Sequence, residues 1–573
     1  MTALSLFVVF VIAKLAALGA HADHWSALEF AAYFWQDAVV ALAFAVTWRF
    51  FEGRLLRAVY WTLTIYAAIN IPVERAVFTP LTMPMIRAAR GPLADSMTVY
   101  LTAANLMLVA ANLIVAFLLP RVLRRVPRAV STGIFMCGVV IAAAGPIAAA
   151  RINVHGMDRN VVTPLIGTRL PAVQAATQSA DWRSLQYGTA EDLSSWVGSA
   201  KGFNVVMISL ESTAAEYLSL GGAVADPMPN LSALAKHALV FENAYAVYPE
   251  SIKGLYSVLC SAYPAFDTKP EQYAKSGCES IASVLRTAGY RTAMFHSGRF
   301  NYLGMESMIR NRGYDVLADA GDIGGNHNSS FGVDEPATVA RMLAWIDALP
   351  PGQRFFLNYL PIAGHHPYAT PEPGPFRGTS DLDQYRNALR YGDASLGTLI
   401  AGICARGLER NTVWVIYGDH GEAFEQHEGN YGHTFYIYEE NVHVPFVIAA
   451  PAIMRSQQRL SKVVSLVDTA PTVLDLLGIP TAANYEGHSM LDGARRTALF
   501  FTDYSLGLFG LRDGRWKFIY ETGSGRLELY DIDRDPRESI NVALEHGNAV
   551  STYRDIVRGW SGAQKARLLA SHR

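Results

Sequence analysis

Chemistry-bearing side chains recur in this sequence at one kind of place, the ends of short apolar runs. Asn204-Val-Val-Met-Ile-Ser-Leu-Glu211 closes on a carboxylate, Thr292-Ala-Met-Phe-His296 on an imidazole, and Val413-Trp-Val-Ile-Tyr-Gly-Asp419 on a carboxylate followed by His420. A fourth run, Phe355-Phe-Leu-Asn-Tyr359, is followed closely by His365. Runs this short and this apolar read as parallel strands covered on both faces. Helical patterns lie between them, at Asn230 to His237, Ser280 to Ala288 and Pro336 to Ala348. Such alternation predicts a doubly wound α/β sheet, in which ligands bind beyond the carboxyl ends of the strands. Acids and imidazoles gathered at those ends therefore predict a site. Ser251 opens a predicted helix through Lys253 to Leu259. A hydroxyl there is either an N-cap or a nucleophile, and a helix N-terminus points its N–H groups toward an anion.

Longer motifs carry a resemblance. Met228-Pro-Asn-Leu and Phe241-Glu-Asn-Ala-Tyr245 precede Pro249-Glu-Ser-Ile-Lys-Gly-Leu-Tyr-Ser-Val-Leu-Cys-Ser-Ala-Tyr-Pro264, which has the spacing of the sulfatase signature from nucleophile to closing Tyr-Pro. Gly289-Tyr-Arg-Thr, Gly364-His-His-Pro-Tyr368, Gly418-Asp-His-Gly-Glu422, Glu439-Glu-Asn-Val-His-Val-Pro445, the segment Val467 to Pro480 and Leu529-Tyr-Asp-Ile-Asp-Arg-Asp-Pro536 follow in order. Residues 203 to 545 thus resemble the alkaline phosphatase/sulfatase superfamily. The resemblance implies that Ser251 is the nucleophile on a phosphate or sulfate ester. It further implies that Glu211, Asp419 and His420, completed by the Ser251 oxygen, hold a divalent metal ion. Carboxylate and imidazole donors suit Zn or Mn, with Mg the weaker fit. His296, Arg299, His365 and His433 are implied to line the pocket, binding phosphoryl oxygens or handling the leaving-group proton, for which imidazole is suited near neutrality. His365 is preferred to His366 because the family pattern is His, any residue, Pro. Lys253 is placed to neutralise substrate charge.

The elements that must position this site are preceded by a different kind of sequence. With 573 residues, two or more domains are expected. The chain is 51% hydrophobic, and the excess is concentrated in the first 150 residues. Five apolar stretches run roughly from Leu4 to Ala20, Leu28 to Trp48, Val59 to Ile71, Val99 to Leu119 and Val130 to Ala150. Most approach the ~20 residues that cross a bilayer. The third closes early, at Glu74 and Arg75, and the first lacks the positive start of a signal peptide and contains Lys14. Arg49, Arg54 and Arg57 in one loop, and Arg121, Arg124, Arg125 and Arg128 in another, predict that both loops are cytoplasmic. The part after Arg151 then faces the periplasm or the exterior of a bacterial cytoplasmic membrane. The division expected is residues 1–151 as an integral membrane domain of about five helices, 152–200 as a linker, 201–545 as the sulfatase-like domain with a small C-terminal antiparallel sheet, and 546–573 as a helical tail. A net charge of −2 offers no basic stripe for nucleic acid. Cys260 and Cys278 are close enough in sequence to bridge in an oxidising compartment.

Three departures bear on function. The positions where formylglycine sulfatases carry Pro or Ala, and then Arg, hold Lys253 and Leu255, so an unmodified hydroxyl is expected. The paired acids of sulfatases at the first strand end are here Glu211 and Ser212. Against this, membrane phosphotransferases of the superfamily usually present Thr as the nucleophile, and the stretch Arg512 to Tyr520 is sulfatase-like. With the preceding helices, the whole is most similar to the lipoteichoic acid synthase, phosphoethanolamine and phosphoglycerol transferase type. The leading expectation is transfer of a phospho-headgroup from a membrane lipid donor to a glycan or lipid hydroxyl. The alternative is hydrolysis of phosphate or sulfate esters.

Overall fold

The computed structural model describes residues 2–19, 26–51, 53–82, 85–86, 101–166, 182–327 and 332–571. Among the described residues, five helices form the N-terminal bundle: α1 (Thr2–Leu18), α2 (Ala27–Phe50), α3 (Arg54–Val77), α4 (Ala103–Leu123) and α5 (Arg128–Ala149). Of these, α2, α4 and α5 are long and apolar enough to cross a membrane. The third differs from its expected extent. It continues through Glu74 to Val77 because Glu74 turns inward and is only 2% exposed. Lys14 and Asp37 do not interrupt their helices either. They meet across α1 and α2 at 2.5 Å, and Asn160 Nδ2 donates to the other Asp37 oxygen at 2.6 Å. Charges at such a depth persist where they are paired.

After the bundle, residues 152–163 pack between it and the soluble half. The stretch 167–181, part of the expected linker, lies outside the described residues. Ser184–Thr189 forms a strand paired with Ala494–Arg496.

The eight-stranded central sheet contains β1 (Asn204–Leu210), β2 (Ala238–Tyr245), β3 (Arg291–His296), β4 (Val316–Ala318), β5 (Phe355–Leu360), β6 (Thr412–Gly418), β7 (His443–Ala449) and β8 (Gln458–Ser465), in the spatial order β8-β2-β7-β6-β1-β5-β3-β4. All pairings are parallel except those of β7, which runs against both neighbours, so the sheet is mixed. Every residue of β1, β5 and β6 is buried, as their unbroken apolar runs require. Val205 and Met207 face one core layer, and Val206, Ile208 and Leu210 the other. Helix α6 (Ser251–Cys260) packs on the first side, and α7 (Glu335–Asp347) and α8 (Asp381–Ala405) on the second. A four-stranded antiparallel sheet, β9 (Ala498–Thr502), β10 (Leu508–Asp513), β11 (Trp516–Glu521) and β12 (Leu527–Asp531), lies against α9 (Gly547–Ser571). Cys260 and Cys278 form a disulfide.

A buried ion pair ties the 184–189 strand region to the main domain. Arg183 grips Asp468 through both guanidinium nitrogens, one at 2.7 Å, and the carboxylate also accepts from Ser465 N and His488 N. Removing one member strands the other charge away from water. Asp468→Ala should therefore cost about 3–5 kcal/mol. The thermal unfolding temperature of the full chain in detergent should fall, and Arg183→Met combined with Asp468→Leu should recover part of the loss.

Candidate active site

The register of two strands creates the site. Leu210 of β1 pairs with Gly418 of β6, so the two strands end level, and Asp419 N donates to Leu210 O at 3.1 Å. Glu211 and Asp419 consequently leave adjacent strand ends side by side. The backbones crowd there: a Cβ on Gly418 would stand 2.2 Å from Thr213 O, so only glycine fits. Ser212 takes a left-handed φ of 51°, and its N–H reaches Asp419 Oδ1 at 3.0 Å. Beyond Asp419, His420 donates from Nδ1 to Gly421 O at 2.9 Å, which turns Nε2 toward the two acids.

Helix α6 presents Ser251 to this cluster. Its Oγ donates to Glu211 Oε2 at 3.0 Å and lies 3.3 Å from His420 Nε2. His420 Nε2 is 3.4 Å from Glu211 Oε1 and 3.6 Å from Asp419 Oδ2. One donor atom from each of Glu211, Asp419 and His420 falls within a single 4.8 Å group. The three are buried, so electrostatics is strong. Burial first, and then the charge of Glu211, pushes Asp419 up to about 7. Burial opposes charge on His420, yet Asp419 and Glu211 together push it up to about 10. Burial likewise opposes ionisation of Glu211, but His420 holds it well below the usual carboxylate range. Such a cluster calls for positive charge. Two carboxylates, one outward imidazole nitrogen and a hydroxyl are a donor set that fits a divalent ion.

A second shell of contacts surrounds it. The His433 and His420 rings pack at a tilt with centroids 4.2 Å apart, and the His365 ring lies 6.2 Å from His433. His433 Nδ1 is held by Glu422 Oε2 at 2.6 Å, and Glu422 Oε1 accepts from the Tyr368 hydroxyl at 2.5 Å. Burial, followed by His420, holds the His433 imidazole below its ordinary value. His420, Glu422 and His433 thereby make a second group of metal-ligating type that shares His420. His365 rides on a loop pinned by Glu335, whose Oε1 accepts from Ile362 N at 2.8 Å and Ala363 N at 2.9 Å.

The remaining expected residues sit further out. His296 is buried, with Nδ1 on Leu360 O at 2.9 Å and its ring stacked on Phe300. Burial holds its imidazole below the ordinary value. Arg299 Nη1 lies beside Gly321. Lys253 does not present its ammonium to the cluster. Both oxygens of Asp503 bind it, at 2.7 and 2.8 Å, and Tyr248 lies beneath it.

Sequence reasoning passed over Glu422, Glu250, Asp503 and Glu335. Glu422 was visible in the Gly-Asp-His-Gly-Glu motif, whereas Asp503 lies 250 residues from its partner with no local pattern. Glu250 alters one expectation. It is Glu250, not Ser251, that caps α6, accepting from Ile252 N at 3.1 Å and Lys253 N at 3.2 Å. The chain's own carboxylate therefore fills the seat at the helix N-terminus where a substrate anion was expected. Glu250→Ala frees two amides and removes a charge. We expect inorganic phosphate to inhibit this variant up to about fivefold more tightly, a change of the size helix-terminus charges produce. Unchanged inhibition would show that substrate oxygens bind elsewhere.

Comparison with known proteins agrees with this fold. Residues 203–479 match the Sulfatase family model, and residues 428–554 match that of the N-sulphoglucosamine sulphohydrolase C-terminal region. Chicken (Gallus gallus) arylsulfatase K is 34% identical over 185 residues, covering 29% of this chain and 34% of the relative. Lipoteichoic acid synthase 2 of Bacillus subtilis is 23% identical over 378 residues, covering 62% of this chain and 57% of the relative. The chain thus spans about a third of the one relative and little more than half of the other. In fold, it is similar to the crystal structure of a lipoteichoic acid synthase from Listeria monocytogenes, with TM-score 0.56 at 19% identity over 66% of this chain and 96% of that one. A protein of the alkaline phosphatase superfamily from Vibrio parahaemolyticus gives TM-score 0.56 at 18% identity over 70% and 99%. Residues 203–479 thus form a sulfatase-like domain, in a fold similar to those of a lipoteichoic acid synthase and an alkaline phosphatase superfamily protein.

Proposed function

We propose that this membrane protein transfers a phospho-headgroup, of phosphoglycerol or phosphoethanolamine type, from a membrane lipid to a glycan or lipid hydroxyl. The observation that carries the reading is the contact of the Ser251 hydroxyl with both Glu211 and His420 Nε2, on a domain joined to apolar helices. Likeness to lipoteichoic acid synthases supports the phosphoglycerol type. Lys253 and Leu255, in place of the residues formylglycine formation needs, support a nucleophile that remains a plain hydroxyl.

In the proposed reaction Ser251 Oγ forms a bond to phosphorus, and the bond from phosphorus to the diacylglycerol oxygen breaks. The leaving alkoxide takes up a proton equivalent to the one that Ser251 gives up, and His433 is the group proposed to carry it. Glu422 on Nδ1 fixes its ring and favours the imidazolium when Nε2 takes up a proton. An acceptor hydroxyl then attacks the phosphoserine from solvent, restoring Ser251. Glu211, Asp419, His420 and Ser251 Oγ would hold the divalent ion, whose charge makes a serine alkoxide accessible and offsets the phosphoryl oxygens. The neighbouring residues orient these groups. The bundle raises the effective concentration of an insoluble donor at the site. The arginine-rich loops between α2 and α3 and between α4 and α5 support an extracytoplasmic face for the domain, as does the Cys260–Cys278 disulfide.

A second reading is hydrolysis of phosphate or sulfate esters, favoured by the likeness to arylsulfatase K. Diacylglycerol release separates the two. Full-length chain loaded with Mn or Zn should release diacylglycerol from labelled phosphatidylglycerol or phosphatidylethanolamine, and Ser251→Ala should not. Absence of release from metal-loaded wild type, with turnover of soluble esters, would favour the hydrolase.

A further inference from the structure

The last residue of β9 and the three that follow it join the bundle side to both flanks of the nucleophile. Thr502 Oγ1 donates to Thr434 O at 2.6 Å, one residue from His433. Asp503 binds Lys253, two residues after Ser251, and also accepts from the Tyr248 hydroxyl at 2.7 Å and from Asp267 N at 2.6 Å. The next two residues are held from the other side. Tyr504 O accepts from Thr82 Oγ1 at 3.1 Å, just beyond α3. Ser505 O accepts from Arg159 Nη1 at 2.7 Å and Ser505 Oγ from Arg159 Nη2 at 2.8 Å, while Arg159 Nη2 also donates to Thr79 Oγ1 at 2.9 Å. Arg159 is itself fixed through its neighbour Asn160, which is bonded to Asp37 inside the bundle. Thus a single turn of chain carries bonds to the segments that leave the bundle at one end and to the catalytic flanks at the other.

We propose that the Thr502–Ser505 turn is a strut that makes the membrane bundle part of the catalytic scaffold, with Arg159 and Thr82 as positioning residues for Ser251 and His433. The proposal rests on the reading of Ser251 as nucleophile and extends it: the bundle does more than tether the domain to lipid. Its physical basis is the directness of the links. Lys253 has its charge committed to Asp503, and Asp503 is covalently adjacent to the residues that the bundle grips. Freeing Tyr504 and Ser505 lets Asp503 shift, and α6 with it. A displacement on the scale of an ångström at a nucleophile costs up to about a hundredfold in rate.

The test uses the full-length, Mn-loaded chain in detergent with a soluble aryl phosphodiester, so that access to lipid plays no part. Arg159→Met and the milder Thr82→Val are compared with wild type, and hydrogen exchange is followed over residues 249–256 and 500–507. The expected result is turnover lowered by about tenfold to a hundredfold for Arg159→Met, with KM changed little and partial rescue by Arg159→Lys. Exchange should quicken over both segments. Wild-type turnover together with wild-type exchange at 249–256 in both variants would overturn the strut. So would faster exchange confined to 500–507, because the bundle would then hold the turn without reaching the nucleophile helix. If wild type cleaves no soluble ester, diacylglycerol release decides the phosphotransfer reading separately, and exchange at 249–256 alone decides the strut.

Discussion

Two carboxylates buried at adjacent strand ends repel each other, and much of this structure is arranged around that repulsion. Glu211 and Asp419 stand together because β1 and β6 end level, a consequence of register rather than of mutual attraction. Water would screen them, but the strands that place them also exclude it. The charge is met locally by Ser212 N, His420 N and the imidazole of His420, which the two acids drive toward its protonated form. A divalent ion held by these residues would answer the same demand with more charge. In the proposed reaction, this costly cluster is also what would activate the Ser251 hydroxyl.

The surrounding groups each solve a smaller version of the same problem. Glu422 is buried, but His433 and Tyr368 satisfy it, and in return it fixes which nitrogen of His433 faces the site. Glu335 is buried without a cation and uses all its capacity on two backbone amides and the hydroxyls of Ser297 and Tyr359. Burial holds its carboxyl above the usual range. Its loss would free the loop carrying His365. Lys253 and Asp503 cancel each other, so neither charge is left to compete for a phosphate. Glu422, Glu335 and the Lys253–Asp503 pair are each partnered in this way, which rigidifies the frame around the buried cluster.

Much of this was legible in the sequence. Unbroken apolar runs marked β1, β3, β5 and β6, and the residues ending them, Glu211, His296 and Asp419-His420, lie at the predicted edge. Five apolar stretches became five helices, although α3 runs longer than hydropathy allowed because Glu74 and Asn70 are buried against neighbours. What stayed hidden depends on contacts across long separations. The antiparallel course of β7 leaves no mark in a run as apolar as its neighbours. The Glu250 cap looked like one acid in a polar turn. Asp503 and Arg159 meet their partners across 250 and 346 residues, and no local spacing encodes such meetings.

The central claim is that Ser251 becomes covalently bound to the transferred group at a site shaped by Glu211, Asp419 and His420. The most direct measurement is peptide mass analysis of metal-loaded enzyme, acid-quenched during turnover of a phospholipid donor. The account predicts a headgroup-phosphate adduct on Ser251, absent from the Asp419→Asn variant. Continued turnover with Ser251 unmodified, or an adduct on another residue, would contradict it.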